Sequence, residues 1–251
     1  MIMKPKRKFY IPRSIKAKMV ERYIFNFRMK PEALERHLPT DYLKPQVING
    51  WSVMSFCILN LDRITIPPIP PIFRLKTLSC AYRAGITDHS KENPEPSVWI
   101  TERNSNLRII QWLAPALIKD GIPRIDAAIG HDKKKKVVHS QFSFIDGQHY
   151  FSAEAKVAED TYKLNSEVFN NVDEFAEFIK AGVSSYTPSS KNNYLASVDL
   201  KKEDAKYEAL DARIEFSWLK EEWKNSDMIF DSAVKATGSI YKWTYRGLIS
   251  K

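Results

Sequence analysis

The sequence predicts an α+β protein in which a mostly antiparallel β-sheet or barrel is flanked by a few helices. Segments with the two-residue periodicity of strands recur along most of the chain. Two tight-turn dipeptides, Asn49-Gly50 and Asp146-Gly147, lie between such segments, and helical periodicity occurs in only two or three places. No low-complexity linker divides the chain, so we expect one domain over residues 20–251, preceded by a basic leader over residues 1–19.

The first half of the chain is expected to alternate strands with one short helix. Tyr23, Phe25 and Phe27 would share one face of the first strand. Pro31 opens the helix, because its fixed φ suits a first helical position, and Pro39 ends it. The strands are predicted at residues 22–28, 43–48, 51–61, 73–84 and 97–102, with the proline-rich stretch 67–71 as an extended crossing that cannot pair in a sheet.

The second half contains the longer helices and the clearest hairpin. A helix is predicted over residues 106–118, which Pro115 should kink or split. Asn171 and Glu174 form a capping-box pair that opens another helix, and Gly182 ends it. Further strands are expected at residues 137–145, 148–158, 194–200, 209–218 and 239–245.

The positive charge of the chain is concentrated at its beginning. The net charge is +9, and residues 1–20 contain seven lysines and arginines and no acid, so the remainder carries only +2. The leader has no apolar stretch of the kind a secretory signal needs, and we expect it to be solvated and dispensable for folding. A basic tail on a nearly neutral domain makes nucleic acid an unlikely partner. No apolar run is long enough for a membrane helix.

The two cysteines, Cys57 and Cys80, lie inside predicted strands without neighbouring Cys or His ligands. Two cysteines in 251 residues do not make a disulfide framework, so buried reduced thiols and a cytoplasmic location are expected. The histidines have no metal-ligand spacing, and neither a metal nor a cofactor is predicted.

Several segments, taken in order, resemble the acetoacetate-decarboxylase-like superfamily, and in particular its branch of uncharacterised bacterial proteins. The resemblance covers most of residues 20–160 and, more loosely, the rest. It implies a closed antiparallel barrel with helices outside and a cavity within. The matching segments are RYIFNFRMKPEALERHLP from Arg22 to Pro39, Asn49-Gly50-Trp51, Ala81-Tyr82-Arg83, the helix to Ile118, Gly121-Ile122-Pro123-Arg124 and the hairpin Ser140–Ala155.

The same resemblance argues against Schiff-base decarboxylation. The decarboxylases of this superfamily carry a Schiff-base lysine followed by a second lysine, where this chain has Arg124 and Ile125. An arginine stays protonated and cannot form the imine, and Ile125 cannot supply the second cation. The fold is therefore expected without that reaction.

Arg124 is the first ligand-binding candidate, and Arg22 is the second. If Arg124 takes the place of the decarboxylase lysine, it points into the cavity, where its guanidinium would hold a carboxylate through two parallel hydrogen bonds. The alternative is a structural ion pair with Asp126 or Glu102. A small carboxylate is thus the predicted ligand.

His139 and Glu154 are the catalytic candidates. A turn at Asp146-Gly147 places them directly opposite each other in the hairpin, with their Cβ atoms about 5 Å apart. That is the geometry of a general base and also that of an ordinary solvent-facing pair, depending on which hairpin face lines the cavity.

Two other classes of function stay open. The leader and the run Lys133–Lys136 could bind nucleic acid or another acidic surface, or the protein could be a non-catalytic interaction module. The sequence does not decide whether the protein is an enzyme or whether it forms a homo-oligomer.

Overall fold

A computed structural model of the chain describes residues 12–132, 137–144, 150–203, 205–216 and 226–251. Strands make up 60% and helices 12% of the described residues, which confirms a mainly-strand protein. The helices are α1 (Pro31–Glu35), α2 (Arg108–Leu113) and α3 (Val172–Ala181). The strands are β1 (Ser14–Met29), β2 (Leu43–Pro45), β3 (Ser52–Thr65), β4 (Leu75–Asp88), β5 (Glu95–Ser105), β6 (Ile125–Asp132), β7 (Val137–Phe144), β8 (Tyr150–Val157), β9 (Ser184–Pro188), β10 (Tyr194–Lys202), β11 (Lys206–Phe216) and β12 (Ile229–Ser250).

Seven of these strands close into a ring, in the order β1-β3-β4-β5-β9-β10-β12 and back to β1. Their pairings are antiparallel except for the parallel contact of β5 with β9. The 22-residue β12 pairs with β10 through its second half and with β11 through its first half. The sheet therefore branches at β12 and continues through β11, β8, β7 and β6. The mostly antiparallel sheet is confirmed, and a closed barrel stays a prediction.

The alternation along β1 separates two cores. Tyr23, Phe25 and Phe27 point to one face, as predicted, where the branch of β11, β8, β7 and β6 supplies Phe151 and other apolar residues. The rings of Phe56 and Phe151 lie 4.4 Å apart between centroids, and those of Phe25 and Phe151 lie 5.0 Å apart. These aromatic contacts fasten the branch to the outer face of the ring.

The opposite face of β1 points into the interior of the seven-stranded ring, and α3 closes part of this interior. Phe175 of α3 is fully buried and belongs to the same cluster as Ile24 of β1 and Cys57 of β3. Half of the predicted capping box of α3 is confirmed: the side chain of Asn171 accepts a hydrogen bond from the Glu174 amide at 3.0 Å, and the helix ends before Gly182. The Glu174 carboxylate accepts from the Asn170 amide instead of the Asn171 amide.

Three local predictions need correction. The helix expected over residues 106–118 is only α2 followed by a 3-10 turn at Ala114–Ala116, because Pro115 lacks the amide hydrogen that would continue it. The strand β2 pairs with β4, and the hairpin predicted around Asn49-Gly50 is reduced to the isolated bridge Ile48–Trp51. The short strand β9, between two longer ones, was not predicted.

The leader boundary is also corrected. The strand β1 begins at Ser14 and pairs with β12 from that residue on, and Ala17 and Met19 are buried. At least Ser14–Met19 therefore belongs to the folded sheet, while residues 1–11 and Lys133–Lys136 lie outside the described residues. Within the described chain, no helix has the length and apolarity needed to cross a membrane.

A chain that starts at Met19 should melt at least about 5 °C below one that starts at Pro12. The longer truncation removes the pairing of Ser14–Lys18 with β12 and the buried Ala17, a loss of a few kcal/mol at about 1 kcal/mol per backbone hydrogen bond. Thermal denaturation of both chains measures the difference. Equal melting temperatures would show that the start of β1 contributes nothing to stability.

Candidate functional site

A cavity lies inside the ring, and every strand of the ring contributes to its wall. It leaves about 40 Å³ free for the centres of water-sized molecules, enough for about three or four of them or for one small anion. On one side α3 covers it with Phe178 and Ile179. Gly85 of β4 makes this cover possible, because a Cβ there would lie 2.6 Å from the Phe178 ring.

Four cationic side chains line this cavity: Arg22 of β1, Arg83 of β4, Arg103 of β5 and Lys202 of β10. Each belongs to the inward-facing set of its strand. Arg83 is paired with Ser55, and Arg103 is paired with Ala81. Their chain neighbours Tyr82 and Asn104 face outward. We call these four residues the cation cluster. Arg83 and Arg103 are half-buried, and Arg103 also lines a neighbouring open pocket with Glu102 and Asp120.

The cation cluster is poorly compensated by the protein itself. Among the described residues that line the cavity there is no aspartate or glutamate. Arg22 donates to Cys57 Sγ at 3.1 Å and to the Tyr241 hydroxyl at 3.5 Å. The Nε atoms of Arg22, Arg83 and Arg103 are buried without a hydrogen-bond partner. Buried charges left in this condition cost several kcal/mol, so the site is suited to an anion.

The serine hydroxyls of the wall already have partners. Ser55 Oγ donates to Asn26 Oδ1 at 2.7 Å, and Ser185 Oγ donates to the Val198 carbonyl at 2.8 Å. Lys202 donates to the carbonyls of Ile179 and Gly182 at the end of α3. The hydrogen-bonding capacity that remains unused in the site therefore belongs mainly to the arginines. In the described part of the chain, no three His, Cys, Asp or Glu side chains come together as metal ligands.

The pKa values reflect burial and mutual repulsion. Burial, together with Arg22 and Arg83, lowers the pKa of Lys202 to about 7. Burial and the neighbouring Arg83 lower the pKa of Arg103 to about 9, and burial followed by Arg22 lowers that of Arg83. Burial would also lower the pKa of Arg22, but the contacts with Cys57 and Tyr241 raise it overall. The three arginines thus stay charged at neutral pH, and Lys202 titrates there.

The free energy of unfolding should rise with pH above 7 through Lys202. Its pKa is about 7 in the folded protein and near 10.5 in the unfolded chain, so the unfolded chain binds more protons in this window. About 2.5 units of this pKa difference act between pH 7 and 10, so relative to Lys202→Met the wild type should gain about 7–14 °C in melting temperature over that window. Parallel pH profiles of the two proteins would refute a titrating Lys202.

The two ligand-binding candidates from the sequence lie in different places. Arg22 lines the cavity, and its role in binding stays a prediction. Arg124 does not point into it: its side chain is 44% exposed, and its Nη2 atom lies 3.9 Å from Asp126 Oδ1. Adjacent residues at the start of β6 face opposite sides, and the buried Ile125 occupies the inner side against the aromatic core. The expected inward direction of Arg124 is therefore corrected, and a ligand role for it stays untested.

The catalytic candidates keep their register but lie outside the cavity. His139 is paired with Glu154, as the hairpin arithmetic predicted, although the turn at residues 145–149 lies outside the described residues. Both residues are exposed, whereas Ala153 and Ala155 on the other face are buried. The apolar face of the hairpin thus packs inward, and catalysis by the His139–Glu154 pair stays an untested prediction.

Arg83, Arg103 and Lys202 were not selected from the sequence. In the sequence, Arg83 is only the last residue of Ala81-Tyr82-Arg83, one of the segments that resemble the family, and no role was predicted for it. The available signal was an arginine on the inward face of a strand whose neighbours are apolar, a position that arginine avoids unless it has a partner. That signal shows a single residue, however, and cannot show that three strands bring such residues together.

Comparison with solved structures identifies the fold. The acetoacetate decarboxylase from Legionella pneumophila superposes with a TM-score of 0.70 at 9% identity, covering 99% of this chain and 92% of that one. The enduracididine biosynthesis enzyme MppR in complex with pyruvate gives 0.61 at 10% identity, with 98% and 92% covered. An acetoacetate-decarboxylase-like enzyme from Sphingomonas wittichii gives 0.56 at 14% identity, with 95% and 92% covered.

These likenesses confirm that the chain has the acetoacetate-decarboxylase-like fold inferred from its sequence motifs. No family model and no curated protein sequence matches the chain. At identities of this size the shared fold does not carry an activity with it.

Proposed function

We propose that this protein binds a small carboxylate inside the ring, through the cation cluster, and does so without Schiff-base decarboxylase chemistry. The supporting observation is the pair Arg83 and Arg103, whose buried Nε atoms have no partner on a wall without described acidic residues. A bound carboxylate would neutralise part of this uncompensated charge and accept hydrogen bonds from the guanidinium nitrogens other than the buried Nε atoms. Its planar shape suits the guanidinium fork, and a few non-hydrogen atoms suit the volume.

The structural neighbours give this proposal its chemical context. MppR, which has the same fold, is described in complex with pyruvate, a small carboxylate. For the present chain this only suggests the size of ligand to try first. The choice of a carboxylate depends on the charges of the cavity itself.

Binding can be tested with acetate, pyruvate and acetoacetate, each compared with its neutral amide. At a hundred times its dissociation constant, a carboxylate should stabilise the protein by about 2.7 kcal/mol, or about 5–10 °C in melting temperature. The amides should have no such effect, because they carry no charge for the arginines. Equal shifts with acids and amides, or no shift with any acid up to high millimolar concentration, would refute the proposal.

The absence of imine chemistry has its own test. At the family's lysine positions this chain has an exposed Arg124 and a buried Ile125. Lys202 is the lysine among the described lining residues, and its amine is held by the carbonyls at the end of α3. Borohydride reduction in the presence of acetoacetate should therefore leave the protein mass unchanged. A covalent adduct that Lys202→Met abolishes would overturn this part of the proposal and identify Lys202 as the nucleophile.

A further inference from the structure

A second, apolar cavity of about 210 Å³ adjoins the cavity of the cation cluster. Arg83, Arg103 and Trp243 line both, so these residues lie where the two cavities meet. Beyond them the wall is formed mainly by aliphatic side chains such as Leu59, Leu61 and Val198. We call this space the tail cavity. It has a charged end and an otherwise apolar wall.

The few neutral polar groups in the tail cavity are already satisfied by the protein. Ser105 Oγ forms a hydrogen bond with Thr77 Oγ1 at 2.8 Å, and Ser79 Oγ forms one with the same Thr77 Oγ1 at 3.1 Å. Thr187 Oγ1 donates to the Ile100 carbonyl at 3.0 Å. Water inside the tail cavity would therefore find few partners away from the arginines. Apolar surface that offers water so few hydrogen bonds favours an apolar occupant.

The tail cavity continues into a third cavity of about 130 Å³. The two share Ile15, Ile110, Leu117 and Trp243 among their lining residues. The segment that contains α2 covers both, and no residue of α2 is buried although four of its six side chains are apolar. Ile110 and Leu113 of α2 line this space, and an apolar occupant would bury them further.

From these observations we infer that the ligand is an amphiphilic carboxylate: its head is held by Arg83 and Arg103, and its aliphatic chain fills the tail cavity. This inference rests on the proposed function and adds the class of substrate to it. An apolar cavity of about 150 Å³ accepts the six carbons of benzene. By that measure the tail cavity holds about eight carbons, and the adjoining cavity extends the limit to about thirteen.

The test is a calorimetric series from acetate through butyrate, hexanoate, octanoate and decanoate, each below its micelle concentration. Burial of each methylene should lower the dissociation constant about threefold to fourfold, until the chain fills the cavities. Octanoate should bind at least about 100-fold more tightly than acetate. Octanol should bind much more weakly than octanoate, because it lacks the charge that the arginines hold.

Two variants locate the chain. Val198→Phe and, independently, Leu117→Phe should fill the tail cavity. Each should weaken octanoate binding at least about tenfold and leave the affinity for acetate unchanged. Ile72→Phe, at an exposed position outside these cavities, is the matched control and should change neither. Melting curves establish that each variant is folded.

The outcomes separate this inference from the proposal beneath it. If acetate binds and the longer carboxylates bind no more tightly than acetate, the ligand is not an amphiphile and the proposed carboxylate site is retained. If octanoate binds as well as octanol and acetate does not bind, the cation cluster holds no head group and both proposals fail. If neither Val198→Phe nor Leu117→Phe weakens octanoate, the chain lies elsewhere and the inference is overturned.

Discussion

Arg83→Met is expected to weaken carboxylate binding at least about 100-fold while raising the melting temperature of the unliganded protein. The loss in affinity follows from two charge-assisted hydrogen bonds, each contributing about 1.5–3 kcal/mol. The gain in stability follows from the surroundings of Arg83, which lies beside Arg22 and Arg103 on a wall without described acids. Replacing a buried, poorly paired charge by an apolar side chain of similar size often stabilises a protein by about 1–4 kcal/mol.

Calorimetric titration and thermal denaturation of the same sample give both readouts. The matched control is Arg124→Met, at an exposed arginine outside the cavity, which should alter neither binding nor stability appreciably. A melting temperature lowered by several degrees in Arg83→Met would show that the protein itself uses the guanidinium as a structural partner. The central observation behind the proposed function would then be lost.

Phe151→Ala should produce the largest loss of stability among the substitutions considered, about 3–5 kcal/mol. Phe151 is 2% exposed, and its ring contacts both Phe25 and Phe56. Phe151 belongs to β8, in the branch of the sheet, whereas Phe25 and Phe56 belong to β1 and β3 of the seven-stranded ring. Truncation therefore leaves a void at the contact between branch and ring.

For a chain of this length the loss corresponds to a fall of about 6–20 °C in melting temperature. Val157→Ala, at an exposed position of the same strand, removes two methyl groups without a core void and should change the melting temperature by no more than about 2 °C. If the two variants melted alike, the aromatic contact would not be what holds the branch on the ring. Retention of acetate binding by folded Phe151→Ala would show that the branch is not part of the site.

Local features were predictable because their causes lie within a few residues of sequence. The register of the hairpin that pairs His139 with Glu154 follows from counting outward from one turn. The start of α3 follows from the Asn171 side chain and the Glu174 amide, and its end from Gly182. The inward and outward sets of β1 follow from the alternation of a strand, although not which set faces the ring interior.

Only the tertiary structure decided which residues meet. The closing strand β12 pairs with β1, more than two hundred residues earlier in the chain, and splits its other edge between β10 and β11. No local pattern encodes such pairings, because they depend on which edges are free once the rest of the sheet has formed. Tertiary packing also set the direction of Arg124. Ile125 packs into the aromatic core, so the side chain of the adjacent Arg124 points to the opposite side and is exposed.

The sequence by itself determined the mainly-strand fold, its resemblance to the acetoacetate-decarboxylase-like superfamily and the lack of lysines at the family's motif. The site was decided by the ring. Arg22, Arg83, Arg103 and Lys202 come from four strands and share a cavity because each lies on the inward face of its own strand when the sheet closes. A single strand shows only one charge among apolar neighbours, and the need for an anion exists only once four such charges are enclosed together.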